Sequence, residues 1–216
     1  MPNAVFFHIA TIGSYVSIMN EMVGCINSSG ILNNVDFVGL GVVGNGPVTV
    51  HSPKFPILYR NADVKKCEFI TLKSLQDYCK RNHSSKVLYI HTKGVSTPAN
   101  PCIDDWRKYM SYFLIEKYKD CISYLDEFDT VGVDWRTDPV PHFSGNFWWA
   151  KGGYIASLPC IEGLSRPDAP HVISVRHNAE FWIGMNKPKT KILWDCGINQ
   201  YSRHLHRYPR EMYQKE

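Results

Sequence analysis

KVLYIHTKG, residues 86–94, is the stretch on which the fold turns. Its first half is an unbroken apolar run rich in branched and aromatic side chains, the pattern of a short strand covered on both faces as in a parallel sheet. Its second half, His91, Thr92, Lys93 and Gly94, is abruptly polar. A parallel strand delivers the residues after it to the carboxyl edge of the sheet, where open α/β folds bind their ligands.

On both sides of this stretch, the same alternation of short strand-like and longer helix-like segments recurs, as expected of an α/β protein with a mostly parallel sheet and crossover helices. Towards the N-terminus, Val5 to Ile9 reads as a buried strand. Thr11, Gly13 and Ser14 make a turn, Tyr15 to Ile26 an amphipathic helix, and Val35 to Val43 a second strand. Pro47, Pro53 and Pro56 exclude a regular helix from the next connection. Glu68 to Thr71 is a brief extended piece, and Leu72 to Arg81 is a helix. Beyond residue 94, Asp104 and Asp105 open the longest helix, their carboxylates favouring its positive end. Trp106, Tyr109, Met110 and Phe113 form its core stripe. Thr130 to Val133 is a strand, and HFSGNFWWAKGGY, residues 142–154, bends at Gly145–Asn146 into a further aromatic strand. A helix at Tyr154 to Leu158, a Pro/Gly-rich loop to about Val172, a helix at Ala179 to Met185 and a strand at Lys191 to Trp194 complete the reading. One domain over residues 1–216 is expected, since 44% hydrophobic residues suffice for one substantial core.

Composition narrows the function. A net charge of +4 suits a small polyanionic ligand and falls short of a nucleic-acid binder. No apolar run approaches the roughly 20 residues of a membrane span, and the opening MPNAVFFHIATIG does not read as a secretory signal. Seven cysteines lack any C-x-x-C pair, which argues against a disulfide framework or zinc site and fits a reducing, cytoplasmic compartment. The basic C-terminus, YSRHLHRYPREMYQKE, is read as a solvated tail or terminal helix, its H-x-H having no third ligand at a recognised spacing.

Three motifs bear on chemistry. Gly39, Gly41 and Gly44 spell G-x-G-x-x-G after a strand, but NGPVTV cannot open the phosphate-binding helix that this fingerprint requires, so the glycines read as close-packing residues. His91 and Lys93 alternate at the edge of the KVLYI strand. An ammonium or imidazolium there can offset the charge on a departing diphosphate, and the alternative is a surface lysine beside a capping histidine. In GNFWW, an amide and paired tryptophans suit a sugar, with Asn146 bonding hydroxyls and one of Trp148 and Trp149 stacking on the ring while its neighbour serves the core.

The ordered set HIATIG, YIHTKG, WRKYM, SGNFWWAKGGYIASLP and RHNAEFWIG resembles GT-A glycosyltransferases, in particular the domain that chlorella viruses encode for capsid glycosylation. The H-T-K motif with a downstream Trp-Arg is also similar to rhamnan-synthesis proteins. The resemblance implies a Rossmann-like GT-A fold and transfer of a hexose or deoxyhexose, such as glucose or rhamnose, from a UDP-sugar to a glycan or glycoprotein acceptor, in the host cytoplasm if the protein is viral. It implies base and ribose near Thr11, Gly13 and Tyr15, and the diphosphate near Arg60, His91 and Lys93. Glu180 is the expected general base, with Asp134 and Asp138 as its competitors for the base or for sugar and acceptor contacts. GT-A enzymes usually hold Mn²⁺ or Mg²⁺ through D-x-D, which is absent here, with HTK in its place, so a lysine supplying the charge is the expectation. The rivals are a non-catalytic carbohydrate-binding module and a nucleotide-dependent oxidoreductase built on GLGVVG.

Overall fold

A computed structural model describes residues 3–97, 99–164 and 176–214. Strand β1 (Asn3–Ala10) leads into helix α1 (Tyr15–Ser29), then β2 (Phe37–Val43), β3 (Ile57–Asn61), α2 (Phe69–Arg81) and β4 (Lys86–His91). Helices α3 (Pro101–Ser111) and α4 (Tyr118–Tyr124) come next, joined by a π-helical turn at Tyr112–Glu116. The chain continues through β5 (Thr130–Gly132), the two-residue strands β6 (Trp135–Arg136) and β7 (His142–Phe143), β8 (Trp148–Lys151), α5 (Gly152–Ser157), α6 (His177–Phe181) and β9 (Thr190–Ile192).

The main sheet has seven strands in the order β3-β2-β1-β4-β8-β5-β9, with a separate β6–β7 pair. It is mostly parallel: β8 alone runs against its neighbours β4 and β5. Because β1 pairs with β2 on one side and β4 on the other, chain progression reverses direction between β1 and β4. That reversal opens a crevice beyond their carboxyl ends.

Every residue of β4 is buried, as its apolar run requires. Leu88 and Ile90 face the cluster built with α1 and α3, while Val87 and Tyr89 face the one built with α2, α5 and α6. Trp148 and Trp149 obey the same alternation and are both fully buried, one in each cluster. This corrects the expectation that one of them stacks on a sugar. The β8 strand is an interior strand of the sheet, so both of its faces are covered.

Several local expectations shift for identifiable reasons. Helix α3 begins at Pro101 rather than at the aspartates, because Asn100 caps it by accepting from the Cys102 amide at 2.9 Å and proline suits the first turn. Glu68 to Thr71 is not extended: the Glu68 carbonyl accepts from the Thr71 and Leu72 amides and α2 is already under way. Strand β3 escapes the sequence reading because it is an edge strand with four of its five residues exposed. At Gly41 an added Cβ would lie 2.0 Å from the Thr71 hydroxyl, so this glycine lets α2 approach β2. No helix comes directly after the GLGVVG segment, which removes the basis of a dinucleotide fingerprint. The loop read as running to about Val172 lies partly outside the described residues.

The C-terminal segment is not a solvated tail. Arg203 is buried against the rings of Trp106, Tyr109 and Tyr208. Arg207 pairs with Asp105 at 2.5 Å, and Arg210 with Glu116 at 2.5 Å. All seven cysteines are free, and among the described residues no helix is long and apolar enough to cross a membrane.

Candidate functional site

Two adjoining cavities lie beyond the carboxyl ends of β1 and β4. The first, about 380 Å³, is walled by His8 and Ala10 of β1, His91 and Lys93 at the end of β4, and Cys67 and Glu68 at the start of α2. The second, about 480 Å³, is lined by His142, Ser144, Glu180 and Tyr201 among others. Lys93, Trp106 and Arg176 line both.

Lys93 is gripped at its two ends by consecutive residues of α3. The Trp106 ring lies 4.0 Å from its ammonium, a cation–π contact. Arg107 donates to the Lys93 carbonyl at 3.0 Å, and its remaining nitrogens are held by Glu21 of α1 at 2.8 and 3.0 Å. The Trp-Arg pair downstream of H-T-K thus positions the lysine, a link invisible to spacing alone. Burial pulls the Lys93 pKa below the usual lysine range; Arg176 and Arg203 act in the same direction, while Glu180 and Glu68 oppose it.

His91 is a neutral imidazole, its pKa lowered to about 3 by burial and then by Lys93. Its Nε2 lies 3.0 Å from the Gly145 carbonyl, which can only accept, so Nε2 carries the proton and Nδ1 is bare. The imidazolium expected as one option from sequence is therefore corrected: of the two H-T-K groups, only Lys93 can bring positive charge. His8 is also held neutral, its pKa lowered to about 4 by burial, with Nδ1 2.8 Å from the Thr71 hydroxyl.

Beneath the first cavity, Glu68 accepts from the Tyr89 hydroxyl at 3.0 Å and the Asn146 amide at 2.6 Å, and its other oxygen lies 3.8 Å from His91 Nδ1. Asn146 is 2% exposed, and its carbonyl oxygen accepts from the Trp148 indole at 2.8 Å. Its hydrogen-bonding groups are engaged inside the protein, which corrects its expected contact with sugar hydroxyls. The Ser-Gly-Asn bend instead ties the two cavities together. Gly145 accepts from His91 and donates its amide to Glu180 Oε1 at 3.2 Å.

The other candidates do not converge on these cavities. Thr11 donates to the Val43 carbonyl and accepts from the Gly46 amide, both at 3.0 Å. Tyr15 donates to Pro47 at 3.1 Å, and Arg60 to Gly46 at 3.2 Å. All three fasten the loop after β2 in place. Gly13 has φ +51°, and an added Cβ would fall 2.1 Å from the Val95 carbonyl, so it packs the first turn against the loop that carries Lys93. Asp134 is 1% exposed and accepts from the Cys196 amide at 2.8 Å and Tyr109 at 3.2 Å. Burial raises its pKa, and it lines neither cavity. Asp138 accepts from Tyr201 at 3.2 Å at the exposed margin of the second.

Sequence reasoning misses Glu68, His142 and Arg176 and takes Trp106 for core alone. Each is a single residue without a motif of its own. Only the Trp-Arg pair carries a usable signal.

The donors do not suit a divalent cation. Among the described residues the one metal-like group is Asp134, Asp195 and Cys196. Arg136 already pairs with Asp195 at 2.6 Å and lies 3.5 Å from Asp134, so a guanidinium supplies the compensating charge. At the cavities themselves, Glu68 is committed to Tyr89 and Asn146, and Lys93 sits where a cation would compete with it.

Compared with curated proteins, the chain has no match. Residues 51–190, well over half the chain and including β4, α3 and Glu180, match the profile of a family described as a domain of unknown function (DUF8361), and the chain belongs to that family.

Proposed function

We propose that this protein is a GT-A glycosyltransferase that moves a hexose or deoxyhexose from UDP to a glycan acceptor, with a capsid glycoprotein in the host cytoplasm as the acceptor and setting that the sequence resemblance suggests. The observation that carries the reading is the position of Lys93, shared by two adjoining cavities at the β1–β4 switch point. A donor nucleotide in the first cavity and an acceptor in the second would meet at that ammonium. As the bond between anomeric carbon and diphosphate breaks, negative charge grows on the phosphate oxygen, and a lysine held by Trp106 and Arg107 stabilises it without a metal. Glu180 supplies the opposite charge on the acceptor side, and direct displacement between the two sides inverts the anomeric configuration.

The rival of a non-catalytic sugar-binding module is disfavoured by the burial of its aromatic platform. Thermal denaturation separates the classes: UDP and UDP-glucose should raise the midpoint, since ligand binding to the native state stabilises it. A shift with NAD or S-adenosylmethionine instead of UDP would sink the proposal. Glycosyl transfer should persist in EDTA, because no carboxylate set is required to hold a cation; activity lost on chelation and restored by Mn²⁺ would contradict the lysine's role.

Glu180→Gln keeps the hydrogen bond from Gly145 within reach and removes the charge. UDP affinity should stay near that of the parent while transfer falls about a hundredfold or more. Transfer at the parent rate, or a product that retains the donor's configuration, would take Glu180 and the displacement mechanism out of the account.

A further inference from the structure

His142 belongs to no motif with a chemistry of its own, yet its geometry gives it a role. It lies on β7, 3% exposed, and lines the second cavity together with Glu180. Its Nδ1 is 2.7 Å from the Val140 carbonyl. A carbonyl only accepts, so Nδ1 carries the proton, and in the neutral ring Nε2 keeps its lone pair. The ring is held edge-on by Phe181, with centroids 4.8 Å apart. A neutral imidazole locked in one tautomer by a backbone carbonyl, facing a cavity beside a carboxylate, has the arrangement of an oriented general base.

We infer that His142 is a catalytic residue, the group that takes the proton from the acceptor hydroxyl, while Glu180 stabilises the imidazolium that results. This rests on the glycosyltransferase reading. In the step, a lone pair of the acceptor oxygen forms the bond to the anomeric carbon. The bond from that carbon to the diphosphate oxygen breaks with its electron pair leaving on UDP, and the hydroxyl proton passes to His142 Nε2 and then to solvent. Glu180 is the less suited receiver because one of its oxygens already accepts from Gly145.

The charged and titratable groups around the ring set its pH response. Glu180 and His177 face it from α6 and Arg136 from β6, and Lys93 and Arg176 line the same cavity. Burial lowers the His142 pKa and outweighs the opposing effect of Glu180, so the ring is a free base at neutral pH. The rate should fall only on the acid side, below the ordinary histidine value of about 6.5.

Two measurements decide the matter. The first needs no substrate: a ¹⁵N-histidine spectrum of the intact protein at pH 7 should show His142 with Nδ1 protonated and Nε2 bare, and the opposite tautomer overturns the inference. The second tracks UDP release from UDP-glucose across pH for the parent and for His142→Asn, whose amide can still donate towards Val140. The variant should be slower by about a hundredfold, should lose the acid limb and should bind UDP as the parent does. A variant within twofold of the parent, or one that keeps the same acid limb, overturns the role. Should the asparagine variant not fold, His142→Gln is read by the same criteria. If the parent itself releases no UDP from any UDP-sugar, the functional reading fails, whereas a normal rate in the variant refutes only His142.

Discussion

Replacing Lys93 with alanine is expected to slow turnover about a hundredfold or more, equivalent to roughly 2.7 kcal/mol of lost transition-state stabilisation. The neighbouring histidine cannot take over. His91 is neutral, its pKa lowered to about 3, and its one proton is committed to Gly145. The pH dependence tests the same point. Lys93 acts in its protonated form, and burial lowers its pKa. Activity should therefore fall on the alkaline side at a pH below the ordinary lysine value of about 10.4, and Lys93→Ala should lose that limb. The thermal midpoint should change little, because the side chain is only partly buried and its loss leaves no unpaired buried partner. Full activity in this variant would remove Lys93 from the mechanism and, with it, the observation that carries the proposed function.

Trp148→Ala should do the reverse and act first on stability. The indole is fully buried, stacks on Tyr89 at 5.2 Å and donates to Asn146. Truncating a buried tryptophan costs about 3–5 kcal/mol. In a chain of this size that lowers the thermal midpoint on the order of 10 °C. The damage extends further, since Asn146 loses a partner and Asn146 in turn holds Glu68 at the floor of the first cavity. A sugar-stacking tryptophan at a surface would behave differently. If Trp148→Ala denatures within a degree or two of the parent while losing transfer, the burial argument fails and an aromatic sugar platform returns.

The two variants illustrate how far the chain can be read without its fold. KVLYIHTKG announces both a buried strand and a polar edge, because period and polarity are properties of the chain itself. The GLGVVG segment can be dismissed on the same local ground, as its glycines lead into residues unable to start a helix. Strand β3 cannot be read, for its exposed residues carry no apolar pattern. The tryptophans are ambiguous for another reason. A strand assigns its neighbours to opposite faces, but only the position of β8 between β4 and β5 decides that both faces are covered.

From the chain alone come the α/β alternation, the strand that ends in His91 and Lys93, and Glu180 as a carboxylate worth testing. These rest on side-chain periodicity and on the rule that parallel strands deliver their ends to one edge. Packing in three dimensions decides which polar groups meet. Trp106 and Arg107 reach Lys93 from α3, Asn146 turns inward to Glu68, and His142 shares a cavity with Glu180. It also decides protonation, since His91 is neutral only because burial removes it from water and a carbonyl 54 residues away fixes its tautomer. Contacts of that range have no local signature, because they arise from how strands and helices stack after each has formed.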